Sequence, residues 1–342
     1  MNRNKIVLSS KGRLFIVSSK DTNERKKEKK KNRKGKHPIT MNVSHLKEKL
    51  LSIMVTKLYT QLPPAEISQT YNELKYYLDL SDPQLSEEES TALSEMLFYL
   101  SIYMSKDIEA EVIYKSLCDR LGENSPRLHV MKATLIQINE DDIAATKYLQ
   151  NLIDKEYEFD SDPTSYLLLA KKILAIKAEL QGLGKLDNES GLLSQIIDLV
   201  ERFPLDPELW WYLGTRYCHA GQYDRAIYCF EEVLLIMPFN YVGFAQLAEV
   251  MYYKAESVRS DNTQREVALK AALNNALRSV ELSETCLRGW TLIAVISKRL
   301  GTKPLLLDLA TKKLQEISNS PNMLDKVTAE FILEKEGLVT KA

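Results

Sequence analysis

From Met41 onward, apolar residues return every three or four positions, the spacing that lines one face of a helix. Polar breaks bearing Pro, Gly and Asp cut this pattern into helix-sized pieces. Leu46, Leu50, Ile53, Met54 and Leu58 form the first run, which Pro63-Pro64 ends. Pro64 and Ala65 open a second through Ile67, Tyr71, Leu74 and Leu78, broken at Ser81-Asp82-Pro83. Ser86-Glu87-Glu88-Glu89 starts a third, with acids where the helix dipole favours them, and its core face is Leu93, Leu97, Leu100 and Met104. Ile108 to Leu121 is its partner helix, with Ala110, Tyr114 and Leu117 inward. Pro126 to Ile153 reads as a further pair through Ala133, Ile136, Ala145, Leu149 and Leu152, with Lys132 where a Leu would pack. After the acidic linker Tyr157 to Pro163 come a helix from Thr164 to Gln181, a loop from Gly182 to Gly191 and a returning helix from Leu192 to Phe203.

The clearest pattern follows, in residues 207–238 (PELWWYLGTRYCHAGQYDRAIYCFEEVLLIMP). Trp210, Leu213, Gly214, Tyr217, Ala226, Phe230 and Pro238 stand in the order W-x2-L-G-x2-Y, A-x3-F, P, the signature of the 34-residue tetratricopeptide repeat. The spacing has physical content. Trp210, Leu213 and Tyr217 share one helical face, small Gly214 and Ala226 let two helices approach, Phe230 fills the gap to the next pair, and Pro238 stops the second helix. One pair cannot bury its own faces, so neighbours are required. Asn240, Phe244, Leu247, Ala248 and Met251 open the next repeat, whose second helix resumes late at Ala272, Ala276 and Ser279. The excess of 12 residues is assigned to the polar stretch Glu256 to Glu266. Trp290, Ile293, Ala294 and Gly301 start a final pair closed by Leu305 to Ile317, and residues 323–338 read as a capping helix. The predicted fold is all-α, a tetratricopeptide-type helical-repeat solenoid over residues 41–342.

Charge changes this picture only at the N-terminus. The formal net charge is −1, but residues 1–40 hold 14 Lys and Arg against 3 acids and the remainder 32 against 44. The run Arg25 to Lys34 repels itself and offers little to bury, so residues 1–40 are expected to be a disordered basic arm, or sequence upstream of a start at Met41. No run reaches the roughly 18 apolar residues of a membrane span. Tyr166 to Leu180 comes nearest and is interrupted by Lys171, Lys172 and Lys177, and no secretory signal is present, so the chain is expected to be soluble even if it works beside a membrane.

Signs of catalysis are absent. Gly182-Leu183-Gly184-Lys185 fails as a phosphate loop, with Glu179 in the first Gly place and Leu186 where a hydroxyl is needed. Cys118, Cys218, Cys229 and Cys286 make no C-x-x-C pair, and His37, His45, His129 and His219 are not spaced for a metal. No catalytic, cofactor or metal residue is assigned, and no nucleic acid is expected as a partner. A repeat stack instead offers a groove lined by the first helix of each pair, at places 2, 5, 9, 12 and 13 counting Pro207 as 1. The best repeat puts Glu208, Trp211, Thr215, Cys218 and His219 there, the next Glu249, Tyr252 and Tyr253 among others, and the last Arg288, Thr291, Val295, Lys298 and Arg299. Glu208, Trp211, Thr215, His219, Glu249, Tyr252 and Tyr253 are the candidate partner-binding residues, with Trp211 either an anchor or packing between pairs. The Lys and Asn that clamp chaperone tails in such grooves are missing.

Several stretches carry a resemblance: KEKLLSIM at Lys47 to Met54, EMLFY at Glu95 to Tyr99, DRLGENS at Asp119 to Ser125, MKATLIQIN at Met131 to Asn139, FPLDPELWWY at Phe203 to Tyr212 and ALRSVELSE at Ala276 to Glu284. From about Met41 to the C-terminus the chain resembles the family of subunit 2 of the endoplasmic reticulum membrane protein complex, in its fungal form. Residues 1–40 have no counterpart there. The resemblance implies a non-enzymatic cytosolic scaffold, peripheral to the membrane, that gathers cytosolic segments of the membrane-embedded subunits. The complex so implied inserts tail anchors and weakly hydrophobic transmembrane segments. The alternative is a soluble tetratricopeptide adaptor or an RNA-processing scaffold that uses the basic arm.

Overall fold

A computed structural model describes residues 5–8, 14–17, 43–157, 159, 162–182, 189–258, 261–301, 304–319 and 323–338. Their body is all-α, a tetratricopeptide-type helical-repeat solenoid, and it divides into two compact units, Met1–Asn188 and Glu189–Ala342. Within residues 1–40 the structure describes two short segments. Strands β1 (Lys5–Leu8) and β2 (Leu14–Val17) pair antiparallel, with Ile6 opposite Ile16. Both are rich in β-branched residues, which suit strands. The rest of the expected disordered arm, Met41 included, lies outside the described residues, as do Gly184 and Lys185.

In the first unit, α1 (Val43–Val55), α2 (Pro64–Asp79), α3 (Glu87–Tyr103), α4 (Asp107–Leu121), α5 (Pro126–Asn139), α6 (Asp142–Lys155) and α7 (Pro163–Gly182) pack largely on sequence neighbours. The starts follow local chemistry. Ser86 accepts from the Glu89 amide at 3.1 Å while Glu89 returns to the Ser86 amide, a capping box, and Pro64 and Pro126 sit where a missing N–H does no harm. The core is a series of local clusters. Leu46, Leu50, Tyr71, Leu74, Leu93 and Met96 form one; Phe98, Ala110, Leu117, Leu128 and Met131 the next; Ala133, Ala145, Leu149, Leu169 and Ile173 a third. Such stacking makes each helix pair depend on its neighbours. Lys132, in the place of a packing Leu, lays its ammonium 5.1 Å from the Tyr148 ring centre.

The second unit runs through α8 (Glu189–Arg202), α9 (Pro207–His219), α10 (Tyr223–Ile236), α11 (Tyr241–Ser257), α12 (Asn262–Leu282), α13 (Leu287–Leu300), α14 (Pro304–Ser318) and α15 (Met323–Lys335). Three first helices start on equivalent caps: Asp206 accepts from the Leu209 amide, Asn240 from Gly243 and Cys286 from Gly289. Cys286 is thus a helix cap through its sulfur at 3.4 Å.

The turn inside each pair explains where repeat length comes from. Gly221 and Gly301 both take positive φ (71° and 64°) directly after a first helix, and Ser105 does the same after α3 (54°). One period after Gly221, the matching place holds Ala255, a strong helix former that is fully buried. Without a turn residue there, α11 continues to Ser257 and α12 starts at Asn262. These helices are 17 and 21 residues long, against 13 and 14 for α9 and α10. Eleven of the 12 extra residues therefore lengthen the two helices of the pair instead of forming a polar insertion. Arg265 of α12 pairs with Glu256 of α11 at 2.7 Å.

Candidate functional site

The repeat-defining residues of α9 and α10 make a tight joint. Leu213, Tyr217, Ala226 and Phe230 are buried, while Pro238 is exposed in the loop. A methyl group added at Gly214 would stand 3.1 Å from Cys229 Cβ and from two carbons of the Phe230 ring. Trp210 reaches back with its indole N–H to the Pro204 carbonyl at 2.7 Å and meets Tyr228 edge-on. Trp290 repeats this bond to the Glu284 carbonyl at 2.7 Å, again six residues upstream. The same device recurs two helix pairs apart.

The places expected to line a groove divide into two groups in this unit. On α9, Trp211 is half-buried, with its ring edge-to-face on the fully buried Phe230 at 5.3 Å. Thr215 donates its hydroxyl to the Trp211 carbonyl at 2.9 Å. Glu208 and His219 stand exposed in the first and last turns. On α11, the structure brings Glu249, Tyr252 and Tyr253 together. Tyr253 donates to Glu249 Oε1 at 2.7 Å, Arg288 of α13 lies 3.5 Å from Oε2, and the rings of Tyr252 and Tyr253 are 6.1 Å apart. Burial and the bond to Glu249 push the Tyr253 hydroxyl up, so it stays a donor. The acid of this face is therefore paired from within the chain. Cys218 lies close enough for burial and the Glu249 carboxylate to raise its thiol. Burial pushes the Cys229 thiol up to about 12, which leaves it unreactive.

Sequence reasoning missed the equivalent face of the first unit. Ser105 matches Gly221, and counting back from that turn puts Glu95, Tyr99 and Tyr103 at places 5, 9 and 13 of α3. Their spacing of four was the signal: it lines one stripe of a helix. Tyr99 stacks on Tyr59 from the turn after α1, centroids 6.4 Å apart and planes at 20°. Arg127, at the start of α5, approaches Glu95 Oε1 only to 4.0 Å, and that oxygen is shielded from solvent without a hydrogen-bond partner. Burial raises the Glu95 carboxyl above the usual glutamate range, against the opposing pull of Arg127 and Lys57. Burial likewise raises the hydroxyls of Tyr99 and Tyr103 and carries Tyr59 up to about 12.

Among the described residues, no three of His, Cys, Asp or Glu converge as for a metal ion, and no helix is long and apolar enough to cross a membrane.

The family model described as tetratricopeptide repeat matches residues 207–240. ER membrane protein complex subunit 2 of Saccharomyces cerevisiae is 46% identical over 292 residues, which cover 85% of this chain and 98% of that protein. TPR repeat protein oca3 of Schizosaccharomyces pombe is 23% identical over 268 residues, 78% of this chain and 84% of that one. Among solved structures, the C-terminal part of a TPR repeat-containing protein from Cytophaga hutchinsonii is similar at a TM-score of 0.44 and 13% identity, covering 83% of this chain and 98% of the other.

Proposed function

The chain belongs to the ER membrane protein complex subunit 2 family, and on that footing we propose that it is a non-enzymatic scaffold subunit of that complex, held on the cytosolic face of the endoplasmic reticulum membrane by its partners. In this reading it gathers cytosolic segments of the membrane-embedded subunits. The assembled complex then inserts tail-anchored and weakly hydrophobic transmembrane segments. The observation that carries the reading is identity of 46% spread over 98% of the yeast relative, which covers the stack and not only its best repeat. A stack without a membrane-crossing helix among its described residues suits a part recruited by others. The partner-facing residues in this reading are Glu208, Trp211, Thr215, His219, Glu249, Tyr252 and Tyr253.

Yeast cells lacking their own subunit 2 provide the test. The tagged chain is expected to co-purify with the membrane-embedded subunits from detergent-solubilised membranes and to restore insertion of a tail-anchored reporter. Recovery of the chain only from the soluble fraction, with the reporter left uninserted, would overturn the reading.

A further inference from the structure

In the first unit, Glu95 is a carboxylate whose environment is incomplete. Oε1 is closed off from solvent and accepts no hydrogen bond, although the side chain keeps about a quarter of its surface open (24%). Its two cationic neighbours serve it poorly. Arg127 sits at 4.0 Å with 71% of its own side chain exposed, and Lys57 is exposed beyond the end of α1. A shielded carboxylate without a donor is costly, and a new cation held against the open quarter of the side chain offsets that cost. The frame around it is aromatic: Tyr99 and Tyr103 lie one and two turns along the same helix face, and Tyr59 is stacked on Tyr99. Tyrosine rings accept the methylene stem of a long side chain and attract its charged head.

We infer that Glu95, framed by Tyr59, Tyr99 and Tyr103, receives a lysine or arginine side chain from a partner protein segment laid along the first-helix face of this unit. The inference rests on the proposed scaffold reading and gives it a chemistry: the segment carries one basic residue beside apolar or aromatic ones. Charge selects this occupant. A nucleic-acid backbone would set phosphate against the carboxylate. An acidic segment would add a like charge. The face on α11 does not compete for the same chemistry, because Glu249 already holds Tyr253 and Arg288.

The test uses the full chain in the yeast replacement strain. A photo-crosslinking amino acid replaces Tyr103, and in separate strains Glu95→Gln and Glu95→Lys are introduced. Crosslinks are expected on one segment of a membrane-embedded subunit, within a few residues of a Lys or Arg. Glu95→Gln should weaken retention about tenfold, the size of a lost hydrogen bond to a charged group, and Glu95→Lys should weaken it further. The melting temperature of purified Glu95→Gln chain should not fall. Crosslinks to a segment without a basic residue overturn the inference, and so does a Glu95→Gln chain retained as well as the parent while the complex still assembles. A markedly lower melting temperature assigns Glu95 to the fold and also overturns it. A parent chain that joins no complex overturns the scaffold reading itself, and with it this inference.

Discussion

On α11, Glu249 takes the Tyr253 hydroxyl at 2.7 Å and faces Arg288 at 3.5 Å. On α3, Glu95 sits among three tyrosines with no hydrogen bond on its buried oxygen and an arginine only at 4.0 Å. The two faces have the same ingredients, an acid, tyrosines and an arginine from the next first helix. In the second unit they satisfy one another. In the first they do not. Trp211, at place 5 of α9, is likewise engaged within the fold, edge-to-face with Phe230. Residues of a kind suited to binding thus differ by whether the fold has already used them.

The largest effect should come from the joint that absorbs Trp211. Phe230→Ala is expected to cost about 3–5 kcal/mol, as for other buried aromatic truncations. In a double-mutant cycle with Trp211→Ala the coupling should be about 0.5–1.5 kcal/mol, the value of an edge-to-face pair. Zero coupling in denaturant melts would release Trp211 from the fold and make the two faces alike. Gly214→Leu follows: with 3.1 Å already left for a Cβ, overpacking should cost about 1–3 kcal/mol or more. An unchanged melting temperature would mean that α9 and α10 are not packed as described.

The two acids give a direct comparison of smaller size. Glu249→Gln should destabilise by about 1 kcal/mol, since its paired oxygens are partly open to solvent, while Glu95→Gln should be neutral or stabilising at neutral pH. Equal losses for both would erase the distinction between the faces. The pH dependence has a definite sign. The Glu95 carboxyl is raised in the folded chain, so the native state binds a proton before the unfolded state does. Its ionised form therefore lowers stability at neutral pH, and that penalty is relieved as pH falls through the raised value towards the ordinary glutamate range. Asp82 and Glu89 are lowered instead, Asp82 first by the Gln84 amide and Glu89 first by Lys47, so the parent chain loses their contribution as pH falls further through those lowered values. The difference in melting temperature between parent and Glu95→Gln isolates the first effect, and it should shrink between neutral pH and the ordinary glutamate value.

The smallest effect should be removal of residues 1–40. A two-stranded pair is marginal alone, so a chain beginning at Met41 should melt within about 0.5 kcal/mol of the full chain, a change typical of sites remote from the core. A larger loss would tie the arm to the stability of the first unit.

Much of the fold was legible because its information is local. Helix starts are announced by Ser86, Asp206 and Asn240, and the repeat register by Trp210, Gly214, Ala226 and Phe230, whose spacings follow from 3.6 residues per turn. Even the long pair could have been read: an Ala at position 255, where Gly221 and Gly301 make turns, leaves the helix nothing to stop it. The degenerate first unit was harder because no Trp or Gly marks its register, and Ser105 does the work of a turn glycine without its signature. What residues 41–342 determined by themselves was the sequence of helices, their pairing and the faces turned to the core. Only tertiary structure decided which polar groups on those faces were left over. That outcome depends on distances between side chains of different helices, such as 3.5 Å from Arg288 to Glu249 and 4.0 Å from Arg127 to Glu95, and polar contacts weaken so steeply with distance that no one-dimensional pattern carries them.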